Sequence, residues 1–126
     1  MTEKPERPDQ PRLRLRIVFG ADEMLGPGKA ELLERIGQTG SIAAAGRAMG
    51  MSYKRAWELV GTLNAMFRDP LVESTRGGPG GGGAALTEAG REVLALYRAF
   101  EASAALAGAE PLEKLRSKLA AIPSGK

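Results

Sequence analysis

Gly77-Gly78-Pro79-Gly80-Gly81-Gly82-Gly83 lies between two short runs of β character, Leu71-Val72-Glu73-Ser74-Thr75-Arg76 and Ala84-Ala85-Leu86-Thr87. A tract this dense in glycine must be explained, because glycine loses more conformational entropy on folding than any other residue. It reads as the flexible tip of a hairpin that can lie close to a partner's backbone, or as a floppy surface loop. A phosphate-binding P-loop is disfavoured: the tract lacks the Gly-Lys-Ser/Thr ending that supplies the phosphate lysine and the magnesium hydroxyl. The flanking segments move the balance toward the hairpin.

Working upstream, Ser52 caps a helix predicted from Tyr53 to about Phe67. Ala56, Leu59, Val60, Leu63 and Phe67 recur at helical spacing and define its inward face. Lys54, Glu58, Gly61 and Ala65 point the opposite way, flanked by Trp57 and Thr62. Before it, Ser41 caps a short alanine-rich helix, Ile42 to Ala48, and Gly50 sits at the turn between them. Small side chains let two such helices approach closely. An earlier helix begins near Gly26-Pro27, since proline suits the first helical position; Leu32, Leu33 and Ile36 form its buried stripe, and Gly37 and Gly40 offer left-handed stops. Residues Arg12 to Phe19 alternate Leu13, Leu15, Ile17 and Phe19 with three arginines, which predicts a half-buried strand. Residues 1–11 are proline-rich and charged, and are expected to form a disordered tail.

Downstream, Thr87 caps a long helix from Glu88 to about Ala107. Val93, Tyr97, Phe100 and Ala104 follow a heptad-like seam. Leu94, Leu96 and Leu106 lie off it, so the helix carries more apolar surface than one packing face requires, and a homodimer contact through the seam is expected. Residues 108–126 then hold Gly108, Pro111 and a last amphipathic segment with Leu112, Leu115, Leu119 and Ile122. The expected fold is mainly α with a small β component: a winged helix-turn-helix over 12–107 with a long C-terminal dimerisation helix.

Composition narrows the chemistry. The 126 residues include no Cys and no His, which removes disulfides, imidazole ligands and the commonest general base. No carboxylate pair stands at helical spacing in a plausible cleft, so an enzyme is not expected. A net charge of +3 permits an acidic partner. Basic residues fall where DNA would lie on such a fold: Arg47 before the turn, Lys54 and Arg55 in the third helix, Arg68 after it and Arg76 at the base of the wing. Glu58, Asp69 and Glu73 dilute them. No apolar run reaches membrane-spanning length and the N-terminus is too polar for a secretion signal, so a cytoplasmic location is expected.

The run Ser52-Tyr53-Lys54-Arg55-Ala56-Trp57-Glu58-Leu59-Val60, then Leu63-Asn64, Leu71-Val72-Glu73 and the glycine wing ending in Leu86-Thr87, closely resembles the DNA-binding domain of the molybdate-responsive ModE regulators. Gly40-Ser41-Ile42 and Ala44-Ala45 fit the same pattern, shared more distantly with LysR-type winged helices. The resemblance covers about residues 12–107. It implies a homodimer on a palindromic operator in double-stranded DNA, with Ser52, Tyr53, Lys54 and Arg55 presented at the start of the recognition helix. Arg47 and Arg76 are expected on phosphates, and Gly78, Gly80 and Gly81 beside the backbone. Trp57 in such proteins looks more like a packing residue than a base reader. Nothing in the sequence resembles the molybdate-binding domain of these regulators, so no cofactor is expected and molybdate responsiveness does not follow. A second reading is an interaction module that pairs with a full-length relative or another protein.

Overall fold

A computed structural model describes residues 11–75 and 83–120. A short hairpin opens the described chain: β1, Ile17–Gly20, pairs antiparallel with β2, Glu23–Leu25, with a register shift between Val18 and Gly20. Then come α1, Pro27–Thr39, α2, Ile42–Ala48, and α3, Tyr53–Met66. A second antiparallel hairpin, β3 (Val72–Thr75) and β4 (Gly83–Leu86), runs in unbroken register from Val72↔Leu86 to Thr75↔Gly83. The long α4, Glu88–Ala107, and α5, Ala109–Ser117, complete it. The winged helix-turn-helix, mainly α with small sheets, is as expected.

Local chemistry fixes the helix starts. The Ser41, Ser52 and Thr87 side chains accept from the N–H groups of Ala44, Arg55 and Gly90 at 2.9–3.0 Å. Each satisfies a donor that the helix's first turn leaves open. Pro27 stands in the first turn of α1. Gly40, at φ 72°, ends that helix and returns its N–H to the Ile36 carbonyl. Gly37, the other expected stop, lies inside α1 instead; a Cβ there would come within 3.3 Å of Leu86.

Leu32, Leu33 and Ile36 of α1 meet Ile42 and Ala45 of α2, Ala56, Val60 and Leu63 of α3, and Val72, Ala84 and Leu86 of the second hairpin in one core. Leu59 and Phe67 lie only partly within it. Among the described residues no polar side chain is buried. Tyr97 of α4 closes the core, and its hydroxyl donates to the Leu15 carbonyl.

The expected strand from Arg12 is shortened. Residues 12–16 have no partner strand among the described residues, and β2 is only three residues long. Leu13 and Phe19 are exposed, while Leu15 and Ile17 are half-buried. Alternation alone does not make a strand without a ladder to join. Of the expected tail, residues 1–10 lie outside the described residues.

Candidate nucleic-acid interface

The helix-turn-helix is built on a glycine. A Cβ at Gly46 in α2 would stand 2.8 Å from the Ala56 Cβ in α3 and 3.3 Å from the Met51 side chain. The two helices therefore cross at near backbone contact. Gly50 turns the chain at φ 73°, donating to Arg47 O, and Met51 donates to Gly46 O. A left-handed residue here is tolerated because it has no Cβ.

This crossing leaves the first turns of α3 outside the core. Ser52, Tyr53, Lys54 and Arg55 are all exposed, Tyr53 by 60%. Arg47, in the last turn of α2, is exposed beside them. Ser52 spends its oxygen lone pair on Arg55 N–H but keeps a hydroxyl proton to donate. Arg55 faces Glu58 at 3.8 Å with both side chains more than half exposed, a weak pair that a phosphate can displace. Lys54 and Arg47 have no ion pair among the described residues. The first turns of α3 thus present donors and cations, the chemistry that reads guanine edges and phosphates.

The β3–β4 hairpin is fastened to this helix by Asn64. Its Nδ2 donates to the Val72 carbonyl at 3.1 Å, and its Oδ1 accepts from Leu71 N–H at 2.8 Å and Val72 N–H at 3.0 Å. A second tie runs to α1: Ala84 N–H donates to the Gly40 carbonyl at 2.9 Å. A third holds α4, whose Gly90 lies so close that a Cβ would stand 2.1 Å from the Leu71 carbonyl oxygen. Thr87 donates from its hydroxyl to Pro70 O and from its N–H to Leu71 O. The third helix and the base of the hairpin are thus tied together, chiefly through main-chain groups. Arg76, Gly78, Gly80 and Gly81 lie outside the described residues.

Sequence reasoning missed the Asn64 clamp. Its signal was available, since position 64 falls on the flank between the buried stripe and the open face, where a polar side chain needs partners. Trp57, expected as a packing residue, is 42% exposed and pairs with the Tyr53 ring in a T-shaped contact, with centroids 5.9 Å apart. It lies one turn beyond Tyr53 on the wing-facing flank, outside the contact that Gly46 and Ala56 make.

The expected dimer seam on α4 divides. Tyr97 belongs to the chain's own core, Val93 packs against it and Ala104 is half-buried, leaving Phe100 exposed. Leu96, Phe100 and Leu106 stand open at 63%, 53% and 81%. Leu94 packs inward. Leu115 of α5 and Leu119 just beyond it are exposed as well. The free apolar face is therefore rotated from the seam that spacing alone picked out.

Among the described residues no group of His, Cys, Asp and Glu could hold a metal ion, and no helix is long and apolar enough to cross a membrane.

Residues 28–91 match the family of bacterial regulatory helix-turn-helix proteins of the lysR type. The chain is 47% identical over 81 residues to the molybdenum-pterin-binding protein MopB of Rhodobacter capsulatus, spanning 64% of this chain and 30% of that one. It is 39% identical over 88 residues to the molybdenum transport protein ModE of Azotobacter vinelandii, 70% of this chain and 33% of the relative. Identity to the DNA-binding transcriptional dual regulator ModE of Escherichia coli K12 is 41% over 71 residues, 56% of this chain and 27% of the relative. The chain thus spans about a third of the length of the curated relatives it matches.

Proposed function

The chain belongs to the lysR-type family of bacterial regulatory helix-turn-helix proteins, and from that premise we propose that it binds an inverted-repeat operator in double-stranded DNA as a homodimer. The family's role is transcription regulation, a non-enzymatic one, and the relatives include ModE regulators. On this reading α3 of each subunit enters a major groove. Lys54 and Arg55 reach base edges, Ser52 and Tyr53 contact phosphate or base, and Arg47 and Arg76 anchor phosphates. The carrying observation is the open first turn of α3, whose cations have no strong internal partner and which Asn64 holds in fixed relation to the wing base.

Dimerisation is assigned to the apolar face of α4 at Leu96, Phe100 and Leu106, whose exposure in the single chain is what a partner helix would remove. No cofactor is required for DNA binding by these residues. Two-fold symmetry predicts half-sites about one helical turn, or a multiple of it, apart.

Selection from random duplex DNA at physiological salt, with and without molybdate, tests the reading. An inverted repeat enriched equally in both conditions is the expected result. Replacing Lys54 and Arg55 together by alanine should then lower operator affinity about 30-fold, with thermal stability unchanged. Binding without sequence preference that vanishes as salt rises, or binding that survives the double change, overturns it.

A further inference from the structure

Between the recognition helix and the wing lies a cleft of about 240 Å³ lined by uncharged residues. Tyr53 and Trp57 of α3 form one wall, Ser74 and Thr75 of β3 the opposite one, and Ser41 stands where α2 begins. The two rings are set at 68° to each other, a T-shaped pair and not a stack. The Trp57 indole N–H and the Ser74 and Thr75 hydroxyls have no hydrogen-bond partner among the described residues. The cleft thus combines the two rings and the apolar side chains of Ile42, Ala43 and Ala84 with the hydroxyls of Ser41, Ser74 and Thr75, in a surface where the adjoining Lys54 and Arg55 are exposed cations.

We infer that this cleft seats one deoxyribose of the DNA strand passing between α3 and the wing, with the Trp57 ring against the sugar. This rests on the DNA-binding reading above and adds to it a salt-insensitive contact. A duplex engaged by α3 on one side and by the wing on the other must carry a strand across the gap between them, and the cleft occupies that gap. Its chemistry matches a sugar better than its two alternatives. A phosphate would call for a cation in the lining, and none is there. A thymine methyl is reached from the outward face of α3, which belongs to Lys54, Glu58 and Gly61, whereas Trp57 is on the flank toward β3. A sugar offers an apolar face to the indole and oxygens to the indole N–H and the wing hydroxyls.

Trp57 is the single tryptophan of the chain, so its fluorescence reads this cleft alone. Unlabelled protein is titrated with operator duplex and with scrambled duplex, while the anisotropy of labelled DNA records binding independently. Expected are a blue shift and weaker acrylamide quenching on both duplexes, since a sugar carries no sequence. Trp57→Ala should weaken both complexes by a similar factor, about 5-fold, and leave the log–log salt slope unchanged. Trp57→Phe should recover part of the loss. Because the fluorescence is read on the unsubstituted protein, the inference stays testable even where an alanine variant folds poorly. DNA that binds by anisotropy without altering Trp57 emission overturns the cleft and leaves the DNA reading intact. Absence of binding by anisotropy overturns the DNA reading and the cleft with it. Two further results reject the sugar seat. In one, loss in Trp57→Ala is confined to the operator and the parent protein is sensitive to uracil at one thymine, which makes the ring a methyl reader. In the other, the salt slope flattens, which makes the site a phosphate contact.

Discussion

The wing-side half of the molecule and the α4 side expose opposite chemistries. Around α3 the open side chains are Lys54, Arg55, Ser52 and the Tyr53–Trp57 pair, held on a base that Asn64 and Gly40 tie down through backbone groups. Along α4 they are Leu96, Phe100 and Leu106. One surface carries cations and donors, the chemistry of the proposed DNA contact, and the other carries large apolar side chains, the chemistry of the proposed dimer contact. The difference separates two jobs that share one core. The wing-side half is ordered by hydrogen bonds within the chain, whereas the α4 side leaves Leu96, Phe100 and Leu106 uncovered, the face to which the proposed dimer contact is assigned.

Gly90 is where the halves join, and it gives the largest effect. Gly90→Val drives a side chain into the Leu71 carbonyl and should cost about 3 kcal/mol or more, read as a collapse of the urea midpoint. A midpoint near that of the parent would show that α4 can slide on the wing base, and the two halves would be less firmly joined than described. Next, on the proposed dimer, Leu96→Glu with Phe100→Glu should leave the fold intact, give a monomer in sedimentation where the parent sediments as a dimer, and weaken the proposed operator binding about 100-fold, roughly 2.7 kcal/mol. Unchanged mass would overturn the assignment of a dimer contact to this face of α4.

Asn64→Ala sharpens the contrast from the other side. It removes three hydrogen bonds to the segment that starts the wing and should cost about 2 kcal/mol, with amide exchange accelerated at Leu71 and Val72. Sedimentation should be unaffected, since α4 is untouched. The smallest effect belongs to Tyr97→Phe, about 1 kcal/mol for the lost bond to Leu15. Burial, with Glu101 next, raises the Tyr97 hydroxyl above the ordinary tyrosine range. A raised native value means that its stabilisation is complete below the unfolded pKa of about 10 and is lost as pH climbs through the native one. The parent should therefore lose stability faster than Tyr97→Phe in alkaline denaturation, while equal slopes would show that the hydroxyl is not held this way.

Much of this was legible because its signals are local. Ser41, Ser52 and Thr87 announce their helices by capping chemistry within four residues, and the Ala56–Val60–Leu63 spacing marks one face without any knowledge of the fold. What escaped depends on contacts distant in sequence or in kind. The partner of β1 is a three-residue strand too short to show a period. Tyr97 and Phe100 occupy the same heptad-like seam, and only the position of the N-terminal segment, whose Leu15 carbonyl meets Tyr97, separates interior from surface. Trp57 is of a residue type that usually packs inside, and nothing in its spacing distinguishes the 42% exposure it has here. The site residues on α3 are thus placed by sequence, and the surface they share with the wing only by the fold.

Gly40 ends α1 with its N–H and receives Ala84 of the wing with its carbonyl, while a Cβ at Gly83 would stand 2.8 Å from that same oxygen. The distance between helix-turn-helix and wing is set by main-chain atoms where two glycines, Gly40 and Gly83, meet without side chains between them. Substitutions at the exposed positions of α3 therefore leave this main-chain frame in place.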